Sequence, residues 1–207
     1  MSVAADEKET GRIEAFSDGV FAIAITLLVL ELKVPHLSEG GAREAGSLGR
    51  ALLAQWPSYV ALITSFFTIL VIWANHHRIF ELVRKVSAPF LYANGLLLLV
   101  VTVVPFPTAL LAEYFERPGA TVAAAVYAGT FVLCGVAFQL LWRTAIAGRR
   151  LLKSGYSEER IQEIHRRYWL GVPGYLAATL GAFVSPFVTV AICVALLIVW
   201  ITVSMKG

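Results

Sequence analysis

One stretch of the chain limits its possible folds more than any other. From Tyr168 to Met205 the sequence runs for 38 residues without a charged side chain. A helix needs about 20 apolar residues to cross the hydrocarbon core of a bilayer, so the stretch is too long for one crossing. Ser185-Pro186 lies near its middle, and proline breaks the hydrogen-bond ladder of a helix. The stretch therefore predicts a hairpin of two membrane-spanning helices.

Composition extends this prediction to the whole chain. Of its 207 residues, 58% are hydrophobic and 15% are charged, whereas soluble domains average about 45–50% apolar and about 25% charged. The pI of about 9.0 does not indicate nucleic-acid binding, because the basic residues lie in short loops between apolar runs. Cys134 and Cys193 lie within apolar runs and no CxxC spacing occurs. We therefore expect no disulfide framework, no metal site and no cofactor.

The apolar runs predict an all-α membrane protein with six transmembrane helices in a single domain over residues 1–207. The predicted spans are residues 12–34, 51–75, 86–112, 118–142, 168–185 and 186–205. We expect a bend near the end of the third span, at Pro105-Phe106-Pro107. The charged connector before the fifth span, residues 143–167, contains a predicted short helix beginning near Ser157.

The basic residues predict the orientation of these spans. Thirteen of the 17 Lys and Arg residues lie on the same side of the membrane as the N-terminus, and four lie on the other side, namely Lys33, Arg43, Arg50 and Arg117. Cytoplasmic loops carry the excess of basic residues. We therefore predict a multi-pass protein of the cell membrane with both termini in the cytoplasm. The N-terminal segment MSVAADEKET lacks the basic region of a signal peptide, so we expect the first helix to be retained.

The first span is the poorest candidate for a helix surrounded by lipid. Its uncharged run, Gly19–Leu30, has twelve residues and covers about 18 Å, whereas the hydrocarbon core is about 30 Å thick. Asp18 then lies within the span, and acidic groups at that depth usually face a bundle interior or a water-filled cavity. We therefore expect this helix to lie at the centre of the assembly, with the other spans around it.

Enzymatic motifs are absent from the sequence. It contains no GxSxG elbow, no HExxH and no P-loop. Ser17 and Asp18 are neighbours, so on a helix they point about 100° apart and cannot act as nucleophile and base. His76 and His77 diverge in the same way and make a poor metal pair. We predict that the chain is not an enzyme.

Several short patterns are similar to those of a known family. The first span begins with Arg12-x-x-x-Phe16-Ser17-Asp18 followed by an apolar run, and two further patterns follow, Trp73-x-x-His76-His77 and Asn94 with a later Pro105-Phe106. Together they resemble the endosomal and lysosomal potassium channel family and its bacterial relatives. The specific patterns lie in the first 110 residues, and the connector and the last hairpin match in general character.

The resemblance implies a homotetramer of six-helix subunits in which four copies of the first helix line the pore. No TVGYG filter is present, so selectivity for K⁺ has to come from side chains. Residues Gly19, Ile23, Thr26, Leu27 and Leu30 share one helical stripe. The resemblance assigns Ile23, Leu27 and Leu30 to an apolar constriction and Thr26 to a polar ring.

The polar residues of the first three spans are expected to meet near the cytoplasmic end. With the two aromatic residues of the motifs, the predicted structural network comprises Arg12, Phe16, Ser17, Asp18, Trp73, His76, His77 and Asn94. A buried carboxylate needs a partner, and Arg12 or a histidine is available to Asp18. The sequence leaves open which of the two histidines turns inward.

The sequence therefore predicts a potassium-selective channel that assembles with copies of itself in membrane lipid and binds no nucleic acid. A proton channel or a weakly selective cation channel is the first alternative, because Asp18 and the histidines could relay protons. A secondary transporter is the second alternative, although no convincing internal repeat is visible.

Overall fold

The computed structural model describes residues 3–36, 46–153 and 155–205, and the ordered elements within these ranges are helices. This finding confirms the predicted all-α class. A single isolated bridge, between Val83 and Leu152, is the one extended pairing in the described ranges. The α-helices in chain order are α1 Val3–Leu27, α2 Ser47–Ala54, α3 Trp56–Leu82, α4 Ala88–Val103, α5 Pro105–Tyr114, α6 Ala120–Ile146, α7 Glu158–Trp169, α8 Gly171–Gly181 and α9 Pro186–Met205.

Four helical segments in the described ranges are long and apolar enough to cross a membrane. They are Glu9–Glu31, Trp56–Leu82, Ala88–Tyr114 and Ala120–Ile146, of 23, 27, 27 and 27 residues. At 1.5 Å per residue these segments extend for about 35–40 Å, which exceeds the hydrocarbon thickness of a bilayer. The chain is therefore a multi-pass membrane protein, as predicted.

The C-terminal hairpin is built differently from the predicted pair of long spans. The helix α9 begins at Pro186, where the sequence predicts the break. However, α8 contains only 11 residues, about 16 Å, and Tyr168 and Trp169 belong to the end of α7. Pro173 explains this boundary, because its ring excludes the carbonyl of the residue four positions earlier, Trp169, from a continuous helix.

The other predicted bend lies between α4 and α5. Val104 N–H donates to the Val101 carbonyl at 3.1 Å, and Pro105 begins the next helix. Since Pro105 has no N–H, the hydrogen-bond ladder is interrupted there. The connector helix α7 starts after Ser157, whose hydroxyl accepts a hydrogen bond from Arg160 N–H at 3.3 Å, a typical N-cap.

The centre of the subunit is α6 rather than α1. In the most apolar 18-residue stretch of α6, 50% of the residues are buried, whereas the corresponding share in the first helical segment, Glu9–Glu31, is 22%. Small residues of α6, such as Ala124 and Ala128, are fully buried and allow close helix contact with α4, α5, α8 and α9. The helix α1 packs mainly against α3 and α4. One of its faces is therefore uncovered in the single chain, and its expected central position concerns the assembled protein.

Contacts between loops group the helix ends into two sides. Lys33 Nζ lies 3.1 Å from Glu113 Oε2, which places the end of the first span beside the end of α5. At the opposite end, Arg84 N–H donates to the Leu151 carbonyl at 2.8 Å, so the end of α3 lies against the connector. Thr10 Oγ1 also donates to the Arg84 carbonyl, at 3.5 Å. Of the basic residues used for the orientation, Arg43 and Lys206 lie outside the described residues.

Candidate functional site

A chain of buried hydrogen bonds connects α1, α3 and α4. Ser17, His76 and Asn94 are 0%, 0% and 2% exposed, respectively. Asn94 Nδ2 donates to Ser17 Oγ at 3.0 Å, and Ser17 Oγ donates to the Ile13 carbonyl, one turn earlier in α1, at 2.9 Å. His76 Nε2 lies 2.8 Å from Asn94 Oδ1. Three helices are therefore joined through one amide side chain.

The partners determine the direction of this chain. The Ile13 carbonyl can only accept, so Ser17 gives its single hydroxyl proton there and accepts from the Asn94 amide. The Asn94 oxygen then faces His76, which makes Nε2 the protonated ring nitrogen. His76 Nδ1 is buried and has no hydrogen-bond partner among the described residues. The ring lies between Phe21 and Phe80, with centroid distances of 5.2 and 4.6 Å.

Two further polar pairs join α1 to α3 beside this chain. Trp73 Nε1 donates to Asp18 Oδ1 at 2.8 Å, and His77 Nδ1 lies 2.7 Å from Glu14 Oε1. Glu14 lies one turn before Asp18, and His77 lies one turn after Trp73. The rings of Trp73 and His77 stack with a centroid distance of 6.1 Å. The two antiparallel helices are thus held together by two successive polar contacts.

The structure places most of the predicted polar residues together, and it shows which histidine turns inward. His76 is fully buried, whereas the side chain of His77 is 48% exposed. The partner of Asp18 is the indole of Trp73 and not Arg12 or a histidine. Arg12 is exposed, and no hydrogen bond or ion pair joins it to another described residue. Phe16 is 67% exposed, because both residues lie on the face of α1 that points away from α3 and α4.

Sequence reasoning missed two sets of polar partners. Glu14 was not included in the network, although its position four residues before Asp18 puts both on one face of α1. The second set joins α3, α5 and α6, where Ser65 Oγ lies 2.8 Å from Thr108 Oγ1 and 3.1 Å from Tyr127 Oη. These three residues are spread over different spans, and no spacing in the sequence connects them.

The predicted pore residues lie on the uncovered face of α1. Ile23 is 59% exposed, Leu27 37% and Leu30 69%, and Thr26 is also exposed. The α-helix ends at Leu27 and continues as a 3-10 turn over Leu28–Glu31. Side chains three residues apart eclipse one another in a 3-10 turn, so Leu27 and Leu30 remain aligned. The hydroxyl of Thr26 donates to the Ile23 carbonyl at 2.9 Å, and Thr26 lines a surface groove with Phe66 and Phe67 of α3.

These features define the class of protein to which the chain belongs. The chain is an all-helical, multi-pass membrane protein with a buried polar network at one end and an uncovered apolar stripe on its first helix. Among the described residues no three His, Cys, Asp or Glu side chains are placed to hold a metal ion.

Comparisons with known proteins identify the family. The sequence profile of the family described as endosomal/lysosomal potassium channel TMEM175 matches residues 12–105. A potassium channel of Chamaesiphon minutus is 51% identical over 198 residues, 96% of this chain and 96% of that protein. A potassium channel of Streptomyces collinus is 45% identical over 88% of this chain and 87% of that protein. The chain therefore belongs to the TMEM175 family, which confirms the resemblance inferred from the sequence.

A vertebrate relative and a solved structure extend the comparison. The endosomal/lysosomal proton channel TMEM175 of Homo sapiens is 34% identical over 65% of this chain but only 28% of the human protein. The crystal structure of a lysosomal potassium-selective channel TMEM175 homolog from Chamaesiphon minutus superposes with a TM-score of 0.84 at 50% identity, covering 95% of this chain and 98% of that chain. The named relatives are ion channels, so the chain belongs to a family of channels and not of enzymes.

Proposed function

We propose that this chain is one subunit of a homotetrameric potassium channel in which the first helix of each subunit lines the pore. Residues 1–207 form one six-helix domain in this proposal. The bacterial relatives named as potassium channels support it, because they match nearly the full length of both chains.

The observation that carries the proposal is the uncovered face of α1. This face presents Phe16, Ile23, Thr26 and Leu30 to the outside of the subunit, while the opposite face bears the buried polar chain. Lipid is a poor environment for this helix, since its uncharged run covers about 18 Å of a core about 30 Å thick. Four copies around a water-filled axis leave Arg12 hydrated at one end and bury the apolar residues in a narrow constriction.

The side chains of the stripe have separate roles in this pore. Rings of Ile23, Leu27 and Leu30 offer an ion no replacement for its hydration shell, so they restrict the pore and can close it by dewetting. The hydroxyl of Thr26 donates its proton within its own helix and can still accept, and four copies supply oxygens to a partly dehydrated K⁺. The network around Asn94 has a structural role in this proposal, because it positions α1 against α3 and α4.

The protein lies in the cell membrane with both termini in the cytoplasm, according to the distribution of its basic residues. The contact of Arg84 with Leu151 supports the grouping of basic segments, because it places the end of α3 and the basic connector on one side.

A proton channel is a second candidate, and one observation favours it. The buried ring of His76 has no hydrogen-bond partner for Nδ1 among the described residues, and it lies beside a directional hydrogen-bond chain that ends in α1. The human relative is also named a proton channel. In this alternative, His76 exchanges protons with the cytoplasmic side, and the current follows the pH gradient.

Bi-ionic reversal potentials in planar bilayers test the proposal, with opposed gradients of K⁺, Na⁺ and pH. Leu27→Ala and Leu30→Ala should raise current to K⁺ and Na⁺ alike, because each removes bulk from the constriction. Thr26→Val keeps the shape but not the hydroxyl, so it should lower the K⁺/Na⁺ permeability ratio.

The matched control is Leu133→Ala on α6. It removes a leucine that is 59% exposed, between Leu27 at 37% and Leu30 at 69%, from a helix that is not among the main contacts of α1. Val29 is 56% exposed and lines a surface groove together with Thr26 and with Phe66 and Phe67 of α3. Because a change at Val29 also alters the surroundings of Thr26, it is a poorer control than its sequence position suggests. Equal effects of Leu133→Ala and Leu27→Ala would refute a pore lined by α1. A reversal potential that follows only the pH gradient would favour the proton channel.

A further inference from the structure

A basic pocket lies between the end of α3 and the connector helix α7. Three arginines line it, Arg78 from α3 and Arg160 and Arg167 from α7. Glu81 also lines the pocket, so its lining side chains carry a net positive charge. Glu163 lies 3.4 Å from Arg160 and 2.5 Å from Arg167, and it holds both guanidinium groups on one side of α7. The hydrogen bond from Arg167 lowers the pKa of Glu163, which therefore remains charged at neutral pH.

An apolar groove continues from this pocket along the bundle. It runs between α3, α6, α8 and α9, and Val71, Phe138 and Leu197 are among the side chains that line it. Gly135 and Gly171 also line it and contribute no side chain of their own. A Cβ atom at Gly171 would lie 3.4 Å from Trp200, so the backbone of α8 runs close to the ring of Trp200.

The pocket and the groove adjoin each other. Asn75, Tyr168 and Trp200 line both of them. Tyr168 is fixed at this junction by edge-on contacts with Phe138 and Trp142, at centroid distances of 4.8 and 5.4 Å. The surface is therefore cationic at one end and apolar along the rest of its length.

The neighbouring residues place the cationic end at the boundary between membrane and water. Arg166 and Arg167 are followed by Tyr168 and Trp169, and Trp169 is 55% exposed. Tyrosine and tryptophan are enriched at the level of lipid headgroups, and basic side chains beside them face the phosphates. This placement depends on the membrane location and not on which ion the protein conducts.

We propose that this surface binds one anionic phospholipid, with the headgroup phosphate on Arg78, Arg160 and Arg167 and an acyl chain in the groove. Guanidinium groups bind phosphate oxygens through paired hydrogen bonds, and basic pockets between helices at the membrane surface are suited to anionic headgroups. A zwitterionic lipid fits the groove equally well, but it gains less from the three arginines.

Trp200 provides a direct measurement of occupancy, because it lines both parts of the surface. The full-length protein is reconstituted in phosphatidylcholine vesicles containing increasing fractions of phosphatidylglycerol or phosphatidylcholine with dibrominated acyl chains, and tryptophan quenching is recorded. Brominated phosphatidylglycerol should reach half-maximal quenching at a lower mole fraction than brominated phosphatidylcholine. This difference should disappear in Trp200→Phe, since the remaining tryptophans report ordinary lipid contact.

Matched variants separate the site from general attraction to the surface. Arg160→Gln with Arg167→Gln should raise the half-quenching fraction of phosphatidylglycerol by about 25-fold, since each of the two basic residues near an anionic headgroup contributes about fivefold in affinity. Arg166→Gln makes the same change on an exposed position of α7 outside the pocket and should leave the fraction unchanged. Val71→Phe should abolish the difference between the lipids by filling the groove, whereas Val136→Phe on α6 should preserve it.

Three results would overturn the proposal. Equal quenching by the two brominated lipids would show that the surface does not select an anionic headgroup. An effect of Arg166→Gln as large as that of the double variant would assign the preference to the overall charge of α7. Displacement of the lipid by millimolar glycerol phosphate, which has no acyl chain, would show a site for soluble phosphates instead. If the double variant does not reconstitute, Arg160→Gln alone replaces it, because Arg160 is exposed and its loss removes one of the three cations.

Discussion

The hydrogen-bond chain through Asn94 leads to a quantitative prediction about stability. Asn94→Ala removes two interhelical contacts, the donation to Ser17 and the acceptance from His76. Ser17 keeps its bond to the Ile13 carbonyl. His76 keeps no hydrogen bond, because its Nδ1 already has no partner among the described residues and the ring is fully buried. The larger part of the cost therefore comes from the stranded imidazole.

The size of the effect follows from two ranges. Interhelical hydrogen bonds in membrane proteins contribute about 0.6 kcal/mol on average and about 1.7 kcal/mol at most, while a buried donor left without a partner costs about 1–3 kcal/mol. We expect Asn94→Ala to lower the free energy of unfolding by about 2–3 kcal/mol. For a chain of this length, this corresponds to a decrease in Tm of about 4–12 °C. Ser17→Ala leaves the contact between His76 and Asn94 intact but strands one N–H of the buried Asn94 amide. We therefore expect a smaller loss than in Asn94→Ala, about 1–2 kcal/mol, and a decrease of about 2–8 °C.

Thermal unfolding of purified protein, followed by fluorescence-detected size exclusion, measures both values. The double variant Ser17→Ala/Asn94→Ala provides the stronger test, because residues of one network are not additive. Its Tm should be within about 2 °C of that of Asn94→Ala, since the first contact is already lost. Fully additive decreases, or a decrease for Ser17→Ala as large as that for Asn94→Ala, would refute the chain as described.

Two further predictions concern other parts of the subunit. Ser65→Ala should destabilise the protein by about 1–3 kcal/mol, because it leaves the buried hydroxyl of Tyr127 without its partner. Tyr127→Phe should cost less, since Ser65 keeps its hydrogen bond to Thr108. Equal losses of stability in thermal unfolding would contradict this difference. Cysteines introduced at Ser47 or Arg117 should react with an impermeant maleimide from outside intact cells, while one at Lys153 should not, because the basic segments predict a cytoplasmic connector; external labelling at Lys153 would reverse the orientation.

The sequence correctly predicts the helices that are marked by local signals, such as apolar length and proline. The apolar runs that become α3 and α6 exceed the length of a bilayer span, and Pro105 and Pro186 mark helix starts in the structure. The boundary between α7 and α8 was not predicted. Pro173 excludes the carbonyl of Trp169 from a continuous helix. However, it lies inside a long uncharged run, and the length of that run favours one continuous span. Hydropathy counts residues and does not show where the backbone turns.

The sequence predicts which residues belong to the polar network but not which of them form hydrogen bonds with each other. Ser17, His76 and Asn94 are polar positions in apolar spans, and such positions usually face a bundle interior. Which atoms meet depends on the rotation of three helices about their axes, and no local pattern specifies that rotation. For this reason Trp73 rather than Arg12 is the partner of Asp18, and the cluster of Ser65, Thr108 and Tyr127 was not anticipated.

In the proposed channel, the arrangement of α1 would let the polar network control the pore without lining it. Ser17 and Asp18 contact Asn94 and Trp73 on one face of the helix, and Ile23 lies between one and two turns further along on the uncovered face. A rotation of α1 that moved the stripe would have to break these contacts, because both faces belong to one rigid helix. Variants of the network should therefore change the amount of assembled channel, while those that also alter ion selectivity would indicate that α1 had rotated. A comparison of the K⁺/Na⁺ permeability ratios of Asn94→Ala and Thr26→Val distinguishes a rotated α1 from the loss of the Thr26 hydroxyl.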